Sequence, residues 1–346
     1  MTQRRKHIFI AEDEYGLPYS KGLTASSLMV TGLGPAKSYA VANKVEEELR
    51  GLGEVVTNEK LRDLTLEVLR REAGDRYAEA FIKWQSVARL DIPLIILIGG
   101  GTGVGKSTIA TQLASRLGIT RVVSTDAVRE VLRSAFTKEM FPTLYSSSFE
   151  ADHEVRQPIP HSGDRLIIGF REQAAAVAVG AQALIDRAIA EGTDMILEGA
   201  HLVPGFLEKV ESDQAVIVPL LVTIDDEELH RSHFYRRGRD SGLRGQERYL
   251  NAFKKIRKIQ KYMISSAAMR GVPKVEHYDL DATLTEIIDH VITKALETVE
   301  RGAPIEGTDE GLLEQAVEVV GRQREEAERV GTADGDTSKQ RREQHA

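Results

Sequence analysis

The sequence LIGGGTGVGKST, residues 97–108, has the spacing G-x-x-x-x-G-K-[ST] of a phosphate-binding loop. An apolar strand, IPLIILIG, is predicted before it and an amphipathic helix, TIATQLASRLG, after it. The glycines let backbone N–H groups surround phosphate oxygens, and the N-terminus of the helix adds partial positive charge. A glycine-rich turn without catalytic importance is the alternative, but strand, loop and helix together favour nucleotide binding.

Within this loop the side chains have separate predicted tasks. We expect Lys106 to reach the β- and γ-phosphates of ATP and the Ser107 hydroxyl to bind Mg²⁺. The residues predicted to hold the nucleotide are Gly100, Gly101, Thr102, Gly103, Val104, Gly105, Lys106, Ser107 and Thr108.

From residue 91 onward, predicted strands alternate with predicted helices. The candidate strands are IPLIILIG, RVVST, DMILEGAH, AVIVPLLVTI and VEHYDL. Such continuous apolar runs are typical of strands buried on both faces of a parallel sheet. Residues 91–300 are therefore predicted to form an α/β domain, a P-loop NTPase-type wound parallel sheet.

The two ends of the chain have other patterns. HIFIAEDEYGLPYS predicts a strand, an acidic turn and a second extended piece, and AKSYAVANKVEEELRGLG, NEKLRDLTLEVLRREAG and DRYAEAFIKWQSVARL predict three helices. Residues 1–90 are thus predicted to form a mainly helical domain. Residues 301–346 are charged and lack aromatic side chains, which predicts a largely disordered tail.

Composition narrows the class of protein. The 346 residues contain no cysteine, which excludes thiol catalysis and cysteine-based metal sites and fits a reducing cytoplasm. The apolar runs are too short for a signal peptide or a membrane span, so we expect a cytoplasmic protein without a membrane partner. A net charge of −7 argues against a nucleic-acid partner. The oligomeric state stays open between a monomer and a homo-oligomer.

Two carboxylates are predicted at carboxyl ends of strands, where ligands bind in open α/β sheets. Asp126 follows RVVST and could orient or deprotonate an acceptor hydroxyl, or cap the helix AVREVLRSAF, while Arg129 could hold an anionic substituent. Glu198 in DMILEGAH could support Mg²⁺ or position the attacking group, or cap the next turn. His201 is as compatible with a structural role as with a functional one.

The segment HRSHFYRRGRDSGLRGQERYL is rich in arginine. Arginines on a flexible, glycine-containing loop suit a lid that closes over the transferring phosphates, and Arg236, Arg237 and Arg239 are the candidates to neutralise charge in the transition state. A solvated helix face is the alternative, and an RNA-binding strip fits an acidic chain less well.

Three parts of the sequence are informative together: IGGGTGVGKSTIATQLASRLGI, STDAVREVLRSAF followed by FPTLYSSSFEA, and ILEGAHLVPG. With these motifs, about 300 residues of the chain resemble the family of 2-phosphoglycerate kinases. The stretch EYGLPYSKGLTASSLMVTGLGPAKSYAVANKVEEEL resembles an ATP-cone, a regulatory nucleotide-binding module, in which Tyr19, Ser20, Lys21 and Gly22 would contact nucleotide. A helical module that only braces the kinase domain is the alternative.

The resemblance implies transfer of the γ-phosphate of ATP to the hydroxyl of 2-phosphoglycerate, which gives 2,3-bisphosphoglycerate. An acceptor with a carboxylate and a phosphate needs cations and hydroxyl donors. The substrate-binding candidates are Asp126, Arg129, Arg133 and Ser147, and further candidates are Lys138, Ser146, Ser148, Arg165 and Arg171. Two other functions stay open: a kinase of another anionic acceptor such as a phosphorylated polyol, and an ATP-sensing regulatory protein without metabolite kinase activity.

Overall fold

A computed structural model of the chain describes residues 9–12, 15–52, 55–87, 90, 92–207, 212–241 and 243–301. Side chains are described within these ranges except at residues 9, 11–12, 15–17, 236–241 and 243–246. The chain forms two compact units that divide between residues 91 and 92, with residues 295–297 grouped with the first unit. Apart from Arg301, the predicted tail lies outside the described residues.

The first unit combines a small sheet with four helices. Its strands are β1 (Phe9–Glu12), β2 (Tyr15–Pro18) and β3 (Val55–Thr57), in the order β2-β1-β3. Its helices are α1 (Lys21–Met29), α2 (Pro35–Leu52), α3 (Asn58–Ala73) and α4 (Asp75–Val87). Strand β1 runs antiparallel to β2 and parallel to β3.

Side-chain caps define where helices of this unit begin. The Ser20 and Thr57 side chains accept backbone N–H hydrogen bonds at the starts of α1 and α3. Gly74 ends α3 with a φ of 103°, a conformation that glycine adopts without steric cost. The core of the unit includes Leu49 and Leu69, which are fully buried.

The second unit contains a five-stranded sheet. Its strands are β4 (Leu94–Gly99), β5 (Arg121–Ser124), β6 (Met195–Gly199), β7 (Val216–Thr223) and β8 (Lys274–Glu276). All neighbours in the order β5-β6-β4-β7-β8 pair in parallel. Every residue of β4 and β6 is buried, as expected for central strands covered on both faces. The predicted α/β class with a parallel sheet is confirmed.

Helices connect these strands, and one more helix follows the last strand. They are α5 (Lys106–Leu117), α6 (Thr125–Ala135), α7 (Arg165–Ala190), α8 (Glu227–Ser241), α9 (Leu243–Asn251), α10 (Phe253–Met269) and α11 (Leu280–Glu300), and two 3₁₀ turns span Pro142–Tyr145 and Ala151–Glu154. None of the described helices combines the length and the apolar character that crossing a membrane requires.

The expectation of a flexible loop for the arginine-rich segment is wrong. The backbone of this segment is helical, in α8 and α9. Asp226 caps the start of α8 by accepting a hydrogen bond from the Leu229 N–H at 2.9 Å. Residues 227–251 contain neither proline nor a β-branched residue, so local propensity favours helix despite the glycines.

The sheet brings three chain segments to one edge. Strand β4 ends at the phosphate loop, β5 ends before Asp126, and β6 carries Glu198 near its carboxyl end. In the registers of β6, Glu198 lies opposite Ile98 of β4 and Ser124 of β5. The residues predicted for catalysis from separate motifs therefore start from neighbouring backbone positions.

Candidate active site

The phosphate loop joins β4 to α5 through glycines with positive φ. Gly103 has a φ of 88° and Gly105 a φ of 90°. A Cβ at Gly103 would lie 2.3 Å from the Phe234 ring, and one at Gly105 would lie 2.8 Å from the His277 ring. Both positions thus need glycine for its conformation and for the close approach of a neighbouring ring. Val104 between them is fully buried.

Lys106 begins α5 and is nearly buried. Its Nζ donates a hydrogen bond to the Gly101 carbonyl at 2.9 Å, across the mouth of the loop. A buried ammonium group requires polar partners, and the carbonyl supplies one. The amine is placed to exchange this contact for a phosphate oxygen of a nucleotide.

Ser107 and Glu198 meet although they come from different motifs. The Ser107 hydroxyl donates to Glu198 Oε1 at 2.9 Å. The Glu198 residue is only 7% exposed, whereas Ser107 is open to solvent, as is Thr108 beside it. Two hard oxygen ligands next to a phosphate loop suit Mg²⁺, which is usually held by few protein groups plus phosphates and water. Within the described ranges, no group of three or more His, Cys, Asp or Glu side chains could hold a metal alone.

Histidines hold the outer side of the loop, and sequence reasoning missed them. His230 Nε2 donates to the Thr102 carbonyl at 2.9 Å and His233 Nδ1 donates to the Gly103 carbonyl at 3.0 Å. Burial lowers the pKa of His230 to about 4, so the ring is neutral near pH 7. The signal in the sequence was the spacing H-x-x-H, which places both rings on one helix face.

Asp126 lies in the first turn of α6 and faces solvent. Its side chain is 72% exposed and pairs with Arg129 Nε at 3.4 Å. The alternative role as helix cap is wrong, because the Ser124 side chain accepts the capping hydrogen bond from the Ala127 N–H. The Asp126 carboxylate is therefore not committed to a backbone contact of its own helix.

The basic side chains predicted to bind the acceptor already make contacts within the protein. Arg129 NH1 donates to the carbonyls of Leu144 and Ser146, at 3.0 and 3.1 Å. Arg133 pairs with Glu130 and stacks 4.9 Å above the ring centroid of Tyr145. Both arginines tie α6 to the segment FPTLYSSS, residues 141–148, which we call the serine segment.

Ser147 is contacted by an arginine from α9. Arg248 NH2 donates to Ser147 Oγ at 2.8 Å, and its Nε donates to Glu150 at 3.0 Å. Arg248 lowers the pKa of Glu150 through this hydrogen bond. A cavity of about 490 Å³ opens beside these groups; it is lined by Glu150, His153, Glu247, Arg248, Asn251, Ala252 and Lys255. Arg248 belongs to the arginine-rich segment but was not among the residues selected from it.

The remaining candidates are used in other ways. Lys138 pairs with Glu154 at 2.8 Å, and Arg165 donates to two backbone carbonyls. Arg171 lies 6.0 Å from the ring centroid of Phe206. The contacts of Lys138 and Arg165 are with residues 152–155, which follow the serine segment in the chain. The side chains of Arg236, Arg237 and Arg239 lie outside the described residues, so their role at the transferring phosphate stays a prediction.

The residues proposed to contact nucleotide in the first unit also have local roles. Ser20 caps α1, Tyr19 donates its hydroxyl hydrogen bond to the Ala42 carbonyl at 3.4 Å, and Lys21 lies 3.5 Å from Glu46. A Cβ at Gly22, inside α1, would lie 3.9 Å from Ser20 Oγ, which is an ordinary van der Waals distance.

Comparison with known proteins places the chain among kinases. No model of a protein family matches it. A 2-phosphoglycerate kinase of Pyrococcus furiosus is 41% identical over 286 residues, which cover 82% of this chain and 93% of that one. Those of Methanothermobacter thermautotrophicus and Methanocaldococcus jannaschii are 36% and 38% identical, over 85% and 90% of this chain and 96% and 98% of theirs.

Among solved structures, a shikimate kinase from Acinetobacter baumannii has a TM-score of 0.33 at 16% identity, covering 61% of this chain and 97% of that one. A gluconokinase from Sinorhizobium meliloti 1021 has a TM-score of 0.32 at 13% identity, covering 61% and 95%. The parallel sheet, the phosphate loop and the named relatives define a P-loop phosphotransferase that uses a nucleotide. The chain belongs to the 2-phosphoglycerate kinase family.

Proposed function

We propose that this protein transfers the γ-phosphate of ATP to the hydroxyl of 2-phosphoglycerate and forms 2,3-bisphosphoglycerate and ADP. The observation that carries the proposal is the contact of Ser107 with Glu198 beside Lys106, which supplies a metal ligand pair next to a phosphate loop. The choice of 2-phosphoglycerate as the acceptor is supported by the names of relatives that match over most of the chain.

The nucleotide would be held mainly by backbone. N–H groups of residues 100–107 and the start of α5 would surround the β- and γ-phosphates, and Lys106 would add its charge. Ser107 and Glu198 would hold Mg²⁺, Ser107 directly and Glu198 directly or through water. When bound, the ion neutralises charge on the β- and γ-phosphate oxygens.

The acceptor would approach from the ends of β5 and β6. Asp126 orients the acceptor hydroxyl and takes its proton, the hydroxyl oxygen bonds to the γ-phosphorus, and the bond from that phosphorus to the β-phosphate oxygen breaks so that ADP leaves. Arg129, Arg133 and Ser147 are the groups that would face the acceptor's carboxylate and phosphate. The displacement is direct and in line, and the arginines of α8 would neutralise the transferring group.

The first unit would act as an ATP-cone that regulates the enzyme. We further propose that the enzyme works in the cytoplasm on a small phospho-acid, without nucleic acid or membrane as partner; its net charge of −7 supports the absence of a nucleic-acid partner.

The test is ³¹P NMR of the protein with Mg·ATP and either 2-phosphoglycerate or 3-phosphoglycerate. We expect resonances of 2,3-bisphosphoglycerate with the 2-isomer alone, and their loss in Asp126→Asn with ATP binding retained. Asp213→Asn, at an exposed position before β7, is the matched control and should keep turnover. Nucleotide binding without product from either isomer would reject the acceptor and favour another anionic substrate or a regulatory role.

A further inference from the structure

A buried chain of hydrogen bonds, which we call the relay, connects the end of β5 to the serine segment. Thr125 Oγ1 lies 2.9 Å from His201 Nδ1, and His201 Nε2 lies 3.2 Å from Gln173 Oε1. The Gln173 amide then donates to the carbonyls of Thr143 and Ser146. Thr125, Gln173 and Thr143 are fully buried, and His201 is 2% exposed.

The direction of every bond in the relay follows from its end. Two carbonyls can only accept, so the nitrogen of the Gln173 side chain faces them and its oxygen faces His201. His201 must then carry its proton on Nε2, which leaves Nδ1 to accept from the Thr125 hydroxyl. Burial lowers the pKa of His201 to about 4, which keeps this single neutral tautomer near pH 7.

The rest of the fold supports the ends of the relay. Gly199, with a φ of 156°, allows β6 to pass so close to Thr125 that a Cβ would lie 1.7 Å from its Oγ1. At the other end, the Ser146 carbonyl also accepts from Arg129. Polar groups buried this deeply are costly unless all are paired, so their arrangement is specific to one geometry.

We propose that Thr125, His201 and Gln173 are positioning residues that hold Asp126 in register with the serine segment at the acceptor site. The inference rests on the proposed function for the roles of Asp126 and Ser147, which directly follow the two ends of the relay. The relay binds no ligand itself. Through Gln173 of α7 and His201 of the turn after β6, the relay fixes the position of the end of β5 relative to the serine segment.

The chain offers a matched pair of substitutions for the test. Thr125→Val removes the hydroxyl that donates to His201 and keeps the side-chain volume. Thr223→Val makes the same change at a fully buried position in β7 whose hydroxyl has no hydrogen-bond partner among the described residues. Thr125→Ser keeps the hydroxyl and serves as the conservative variant.

With 2-phosphoglycerate and ATP, we expect Thr125→Val to lower kcat/KM for the acceptor by about tenfold or more, since small displacements of reacting groups have large effects on rate. The dissociation constant for ATP should change less than about twofold, because the phosphate loop is held by other contacts. Thr125→Ser should restore most of the lost activity, and Thr223→Val should resemble the parent protein.

Hydrogen exchange measured by mass spectrometry on the same full-length variants does not depend on the acceptor. Peptides that cover residues 141–148 should exchange faster in Thr125→Val than in Thr223→Val. Equal exchange and equal kinetics in the two variants would overturn the inference, as would a parallel loss of ATP affinity. If the parent protein forms no product from 2-phosphoglycerate, the proposed function fails, whereas the exchange arm still decides whether the relay orders the serine segment.

Discussion

The Ser107 hydroxyl and the Glu198 carboxylate are 91 positions apart in the chain and in hydrogen-bond contact in the fold. The contact depends on the parallel register of β4 and β6, which sets Glu198 beside the start of the phosphate loop. At the scale of single residues, the proposed metal site therefore depends on the register of β4 and β6, which brings the Ser107 and Glu198 oxygen atoms together.

Glu198→Gln should weaken the response to magnesium. An amide is a poorer ligand than a carboxylate for Mg²⁺ and for water bound to it, and such losses typically cost about 10- to 100-fold in metal affinity or activity. The measurement is the initial rate as a function of Mg²⁺ concentration at fixed ATP. Glu286→Gln, on the exposed side of α11, is the control. An unchanged magnesium dependence in Glu198→Gln would remove this residue from the proposed metal site.

The buried His201 should make stability depend on pH. Its pKa in the folded protein is lowered to about 4 by burial, whereas an unfolded chain has a histidine pKa of about 6.5. The unfolded state therefore binds more protons between these values, and stability falls as the pH drops through this window, by up to about 1.4 kcal/mol per pH unit. Above pH 6.5 this contribution is fully present.

Urea unfolding at pH 5 and pH 7 checks this expectation. His201→Gln should lower stability at pH 7 yet show a smaller difference between the two pH values than the parent. His161→Gln, at an exposed histidine, should keep the difference of the parent. If His201→Gln kept the full stability difference between pH 5 and pH 7, the acid sensitivity would come from other histidines. Burial also lowers the pKa values of His230 and His277.

At the scale of elements, α8 supports the phosphate loop from outside. One face of the helix carries His230, His233 and Phe234; the two histidines donate to loop carbonyls, and the Phe234 ring packs against Gly103. Because the carbonyls are held outward, the N–H groups of the loop are free to point toward a bound phosphate. The first part of the arginine-rich segment thus has a structural role, the support of the phosphate loop.

His233→Ala should weaken nucleotide binding more than acceptor binding. A single hydrogen bond contributes about 1 kcal/mol, so we expect the dissociation constant of ATP to rise about fivefold. Calorimetric titration of ATP and the KM of the acceptor provide the comparison. Tyr235→Ala, on the same helix with a 53% exposed side chain, should leave both constants near their original values. A selective rise in the acceptor KM would contradict the assigned contact with the loop.

At the scale of the whole molecule, the chain consists of two compact units, each with its own sheet and core. The first unit combines a three-stranded sheet with four helices, and its proposed nucleotide contacts begin at the start of α1. Two nucleotide sites on one chain would serve different purposes, one for the reaction and one for regulation.

Calorimetry should find two ATP molecules per chain. Lys106→Ala should abolish the site at the phosphate loop, and Lys21→Ala should weaken the other site while the first remains, because each removes a cation from one proposed site only. One ATP per chain in the parent protein, unaffected by Lys21→Ala, would leave the first unit without its proposed regulatory ligand.

The sequence by itself determined the class of fold and the centre of the site. The loop from Gly100 to Ser107 and the alternation of strands and helices are local patterns, and short-range sterics and hydrogen bonding suffice to produce them. For the same reason the sequence indicated that Asp126 and Glu198 follow or end strands. Local propensity also favoured the helices α8 and α9, although the many arginines and glycines of this segment led to the prediction of a loop.

Only the tertiary structure decided which side chains meet. The contact of Ser107 with Glu198, the histidines behind the loop and the relay through His201 and Gln173 join residues that are far apart in the chain. Such contacts depend on strand order, register and close packing, which arise from burying many apolar groups at once and which no short stretch encodes. The sequence indicated which residues form the candidate site, and the tertiary structure determined which side chains contact and position them.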